Sequence, residues 1–81
     1  MRITIECHGA TRRWCGSETL HMETPADATV GDALQWLAER YPEFAERRAT
    51  VAVAIGDEIV RATTPLPDGA RLALIPPVSG G

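Results

Sequence analysis

Eighty-one residues with eleven acids, eight arginines and no lysine carry a formal charge of −3, and 44% of the side chains are hydrophobic. A chain of this size makes one small domain that buries only about 60% of its unfolded surface, and its apolar content argues for a globular fold over disorder. The pairs Arg12-Arg13 and Arg47-Arg48 are interleaved with acids, so the dense basic patch that nucleic acid requires is missing. No apolar run nears the roughly 20 residues of a membrane span, and the charged start Met1-Arg2-Ile3-Thr4-Ile5-Glu6 is no signal peptide, so no membrane contact and a cytoplasmic location are expected.

In chain order, Ile3, Ile5 and Cys7 alternate with Thr4 and Glu6, the period of a strand with one buried side. His8-Gly9-Ala10 breaks it, and Arg12 to Gly16 reads as a loop or wide turn. Thr19 to Glu23 alternates again, with His21 on the polar face as a solvated residue. The two strands predict an antiparallel hairpin. After the turn at Thr24 to Ala28, Thr29 and Asp32 have the spacing of a capping box, with Asp in place of the usual Glu or Gln. Val30, Ala33, Leu34, Leu37, Ala38 and Tyr41 form one helical stripe, a core face with Trp36 at its edge. Pro42 disfavours helical geometry at Tyr41 and ends the helix near there.

Pro42 to Arg48 is polar around Phe44 and reads as a short extra helical turn. Val51, Val53 and Ile55 alternate with Ala52, Ala54 and Gly56, then Gly56-Asp57-Glu58 turns into a short strand at Ile59-Val60. Asp68-Gly69 is a strong turn signal. Arg71 to Ile75 is the last strand, with Leu72 and Leu74 facing the helix and Ala73 and Ile75 facing away. The expected class is α+β: a β-grasp, or ubiquitin-like, mixed sheet covered on one face by one main helix, with the first and last strands parallel at the centre. The domain spans 1–75 and an extended, flexible Gly-Gly tail spans 76–81. The uncovered face holds Ala52, Ala54, Ala73 and Ile75 with Thr4 and Glu6, and reads as a docking surface beside the tail.

Cys7 and Cys15 match no zinc spacing and are expected as plain core or surface thiols. No Ser/His/acid triad, paired-carboxylate cleft or phosphate loop stands out, so the reactive group is the terminus or there is none. The tail Pro76-Pro77-Val78-Ser79-Gly80-Gly81 is extended by its prolines and stripped of side chains at its tip. At full extension it reaches roughly 20 Å. It presents the Gly81 carboxylate, which becomes a competent acyl donor once coupled to AMP and a sulfur nucleophile once sulfide or a persulfide displaces that AMP. Such intermediates hydrolyse in water, and a thin arm is what an enclosing partner site can admit.

The string Ile75-Pro76-Pro77-Val78-Ser79-Gly80-Gly81, preceded by Leu72 to Leu74 and the Asp68-Gly69 turn, resembles the C-terminal signature of the small subunits of molybdopterin synthase, ubiquitin-like sulfur carriers. The resemblance implies that Gly81 is adenylated by a ubiquitin-activating-like adenylyltransferase using ATP and Mg²⁺. A sulfur-donating enzyme then converts it to a thiocarboxylate, and the tail enters a large subunit to thiolate cyclic pyranopterin monophosphate for the molybdenum cofactor. It implies a heterotetramer, no cofactor and no metal bound by the chain itself, no catalysis by the chain alone, and docking through Ala73, Ile75 and residues 76–80. Other acceptors of the same chemistry are thiamin thiazole, cysteine or tRNA sulfur. Beyond these stand a ubiquitin-like protein modifier and an adaptor with an inert tail.

Overall fold

The computed structural model describes residues 1–77, and the expectations placed on Val78, Ser79, Gly80 and Gly81 lie outside the described residues. Nine elements follow one another: β1 (Arg2–Cys7), α1 (Thr11–Cys15), β2 (Thr19–Glu23), α2 (Val30–Arg40), α3 (Pro42–Arg47), a 3₁₀ turn (Arg48–Thr50), β3 (Ala52–Ile55), β4 (Glu58–Val60) and β5 (Arg71–Ile75). The strands form one five-stranded sheet in the order β2-β1-β5-β3-β4. β1 and β5 are parallel neighbours in the middle, with Ile5 opposite Leu72 and Cys7 opposite Leu74. The remaining pairs are antiparallel. This is the expected β-grasp arrangement, and the long crossover carrying α2 is what allows β1 and β5 to run in the same direction.

The inward residues of the central strands, Ile3, Ile5, Cys7, Val53, Leu72 and Leu74, meet Val30, Ala33, Leu34 and Leu37 of α2 in one core. α2 starts where its cap dictates. The Thr29 hydroxyl accepts from the Asp32 amide at 3.3 Å, and Asp32 accepts from the Thr29 amide at 2.9 Å, so Asp closes the box as well as Glu would. Two more amides of the first turn are satisfied from outside the helix: Val30 donates to Thr64 and Gly31 to Ala62, both at 2.8 Å. That close approach explains Gly31, because a Cβ there would sit 3.1 Å from the Ala62 carbonyl oxygen. At the other end Tyr41 is extended (φ −127°, ψ 96°), as a residue before proline must be. α3 then turns Phe44, fully buried, into the end of the core.

One local reading needs correction. Residues 11–15 are a short helix, not a loop. Thr11 stabilises its start by donating from its hydroxyl to the His8 carbonyl at 2.6 Å, and Gly16, at φ 71°, ends it in the left-handed region. Five residues are too few to display a helical period. The polar stretch after Pro42 is helical as expected: α3 runs to Arg47 and continues as the 3₁₀ turn.

Candidate functional site

The tail grows out of β5, which is hydrogen-bonded on both sides, to β1 and to β3. Ile75, the last residue of β5, is paired with Ala52. Beyond it, Pro76 is half-buried and Pro77 exposed. Pro76 crosses the β1–α1 connection over Gly9: a Cβ on Gly9 would lie 3.1 Å from the Pro76 Cγ, and Gly9 itself has φ +54°. Both facts demand glycine at that point.

The uncovered sheet face is set by the pairing register. Ala54 lies between Ala73 and Ile59, and Ala52 lies beside Ile75. Ile59 is 65% and Ile75 39% exposed, the two large apolar side chains most open to water among the described residues. Ala54 is buried by its neighbours despite lying on this face. A polar border adjoins the apolar strip. Arg71 donates to Glu6 Oε2 through Nη2 at 2.6 Å and through Nε at 3.2 Å. Thr4 and His21, cross-strand partners, sit 3.3 Å apart through Oγ1 and Nδ1.

On the far side of the tail's root, α1 packs against α3. Arg13 and Trp14 of α1 and Arg47 of α3 meet Pro76 and Pro77 around a groove of about 420 Å³. The Arg47 guanidinium lies over the Trp14 ring, 5.3 Å from its centroid. A separate cleft of about 250 Å³ lies between β2 and α2, walled by Met22 and Trp36 and rimmed by Glu23, Asp32 and Glu39. Arg40 covers one face of Trp36 at 4.9 Å.

Cys7 and Cys15 are both free and buried in the core. They face each other, and donation of the Cys15 S–H to Cys7, together with burial, pushes the Cys15 thiol well above its ordinary value. Among the described residues no group of three or more His, Cys, Asp or Glu is placed to hold a metal ion, and no helix is long and apolar enough to cross a membrane.

The structure thus puts Ala73, Ile75, Pro76 and Pro77 in one line from the middle of the sheet to the tail's root. Gly81, Gly80, Ser79 and Val78, assigned to the reaction and to docking, lie outside the described residues. Sequence reasoning left Ile59 out of the uncovered face. Its face follows from the pairing register, since a residue opposite Ala54 shares Ala54's side of the sheet. It also left out the Arg13–Trp14–Arg47 grouping, which joins two short helices far apart in sequence.

The ThiS family pattern matches residues 9–81. The chain is 29% identical to the molybdopterin synthase sulfur carrier subunit of Mycobacterium tuberculosis, over all of this chain and 99% of that one. It is 37% identical to small archaeal modifier protein 1 of Haloferax volcanii, over 82% of this chain and 85% of that one. A crystal structure of that Haloferax volcanii modifier superposes with a TM-score of 0.89 at 29% identity, covering both chains fully. A chain in a complex of subunits 1 and 2 of the molybdopterin-converting factor of Helicobacter pylori has the same fold, with a TM-score of 0.69 at 24% identity and full coverage of both chains. A family pattern running through β5 to residue 81, on a β-grasp sheet whose central strand carries a Pro-Pro and Gly-Gly tail, makes this chain a member of the ThiS family.

Proposed function

We propose that the chain is a sulfur carrier, the small subunit of a molybdopterin synthase, with the Gly81 carboxyl as its working group. One observation carries the reading: the strand that leads to Gly80-Gly81 is an inner strand paired on both sides, and the family match extends over the tail. In the first step the Gly81 carboxylate attacks the α-phosphate of Mg-ATP on an activating enzyme, giving the acyl-adenylate and releasing pyrophosphate. Sulfide, delivered by a sulfur-donating enzyme, then displaces AMP and leaves a thiocarboxylate. The tail enters the large subunit, and the thiocarboxylate sulfur attacks cyclic pyranopterin monophosphate, with water later freeing the Gly81 carboxylate for another round. The folded body binds and aims. The apolar strip of Ile59, Ala73 and Ile75 docks against the partner, and a Helicobacter pylori chain of the same fold occurs in a complex of subunits 1 and 2 of the molybdopterin-converting factor.

A second reading shares the first step and changes the acceptor. The similarity to small archaeal modifier protein 1 supports a chain whose Gly81 is joined to amines of other proteins. Incubation with the activating enzyme, ATP and a sulfur source tests the first reading. Intact mass rises by about 16 Da and a single alkylation by iodoacetamide appears at the terminus, and neither occurs after deletion of Gly81. Sulfur transfer by the chain lacking Gly81 overturns the reading. Gly81-linked conjugates in the absence of any thiocarboxylate favour the modifier.

A further inference from the structure

We propose that the groove between α1 and α3 at the tail's root is a second docking site, taking an acidic segment of the protein that receives the tail. The inference rests on the proposed carrier function for the identity of that protein, and on the groove itself for the chemistry.

Arg13 and Arg47 are exposed and line the groove, and among the described residues no carboxylate does. Among the described residues Arg13 makes no ion pair. Arg47 has only its sequence neighbour Glu46, at 3.6 Å and 75% exposed, a contact of the kind that contributes little. The other arginines of this region are engaged elsewhere: exposed Arg12 pairs with Glu18 at 3.1 Å, and half-buried Arg48 donates to Gln35 at 2.8 Å. The chain carries three more negative than positive charges, so two guanidinium groups whose one paired carboxylate is the exposed Glu46 are a local inversion of its field.

Between them stands a half-buried indole. Trp and Arg are the side chains that dominate protein interfaces, and a planar guanidinium fork matches a carboxylate with two parallel hydrogen bonds. With Arg47 stacked on Trp14, that fork is held in place before any partner arrives. The groove also shares Pro76 and Pro77 with the tail. A protein that encloses the tail must pass this wall, and an acidic loop on it would bind both arginines and fix the angle at which the tail enters. Nucleic acid is disfavoured by the overall negative charge.

The test uses the full chain and follows the two indole N–H signals by ¹⁵N NMR. Trp14 reports on the groove and Trp36 on the acid-rimmed cleft, an internal control. A capped hexaglutamate peptide should move Trp14 saturably and leave Trp36 in place. The Arg13→Glu/Arg47→Glu double variant, altered only at exposed positions, should abolish that shift and weaken binding of the large synthase subunit by about tenfold or more. The proposal is overturned if Trp14 does not move, or if the double variant binds peptide or large subunit as the parent does. It is also overturned if inorganic phosphate or a single-stranded oligonucleotide moves Trp14 at lower concentration than the peptide, or if truncation after Pro77 tightens peptide binding, which would make the tail itself the occupant. A parent chain that ignores the large subunit refutes the partner identity, and the peptide titration then decides the groove.

Discussion

At the scale of single residues, the facing thiols of Cys7 and Cys15 are the most sensitive chemistry in the folded body. Both are almost wholly out of water. An unfolded thiol ionises near its ordinary value of 9.0, whereas the folded Cys15 holds its proton beyond that. Above that pH the unfolded chain therefore binds fewer protons than the folded one, and stability declines as pH rises. The Cys15 contribution is fully present below pH 9 and is lost as pH climbs toward the raised folded value, whereas Cys7, held below its ordinary value by the S–H it accepts, adds an opposing rise confined below pH 9. With no lysine in the chain, few other side chains titrate in this interval. Denaturant melts between pH 9.5 and 10.5 should show a falling midpoint, by about 1.4 kcal/mol per pH unit once one more thiol is ionised in the unfolded chain than in the folded one. The Cys7→Ala/Cys15→Ala variant should be less stable throughout but flat over the same interval.

At the scale of elements, β5 has two faces with separate duties. Leu72 and Leu74 are fully buried under α2, while Ala73 and Ile75 belong to the uncovered side. Ile75→Asp changes only the second duty. It should move the denaturation midpoint by less than about 1 kcal/mol, as a partly exposed substitution does, and weaken binding of the large subunit at least tenfold in calorimetry. Equal affinities would leave the apolar strip idle. The two-residue period that separates these faces is visible in the bare string Leu72-Ala73-Leu74-Ile75, and the helical stripe from Val30 to Tyr41 is as plain. Strands, main helix and topology were legible for that reason. What the string could not show is what short elements do. Thr11–Cys15 has too few positions to reveal a period. Its meeting with Arg47 depends on how α3 turns after Pro42, a tertiary fact carried by the burial of Phe44 and by no local pattern. The same limit hid Ile59, whose face is fixed by pairing with Ala54 across a turn and not by its own neighbours in the string.

At the scale of the whole molecule, one thin core supports everything. Phe44 is its largest fully buried side chain and arrives from α3, outside the sheet-and-helix pair that defines the fold. Phe44→Ala should cost about 3–5 kcal/mol, much of the 5–15 kcal/mol typical of a domain. A urea titration should show the midpoint fall by that amount with little change in slope. A variant as stable as the parent would mean that α3 is dispensable packing.

The parallel placement of β1 and β5 at the middle of the sheet also governs how the molecule carries load. A pull on the tail against the amino terminus runs along these two strands, and the hydrogen bonds joining them lie across the line of force. They are sheared together; they cannot be peeled one at a time. The ladder to β3 adds a second row that must slip in the same event. A partner that threads the tail into a tight channel, and later lets it go, can therefore tug on this end without unravelling the body behind it.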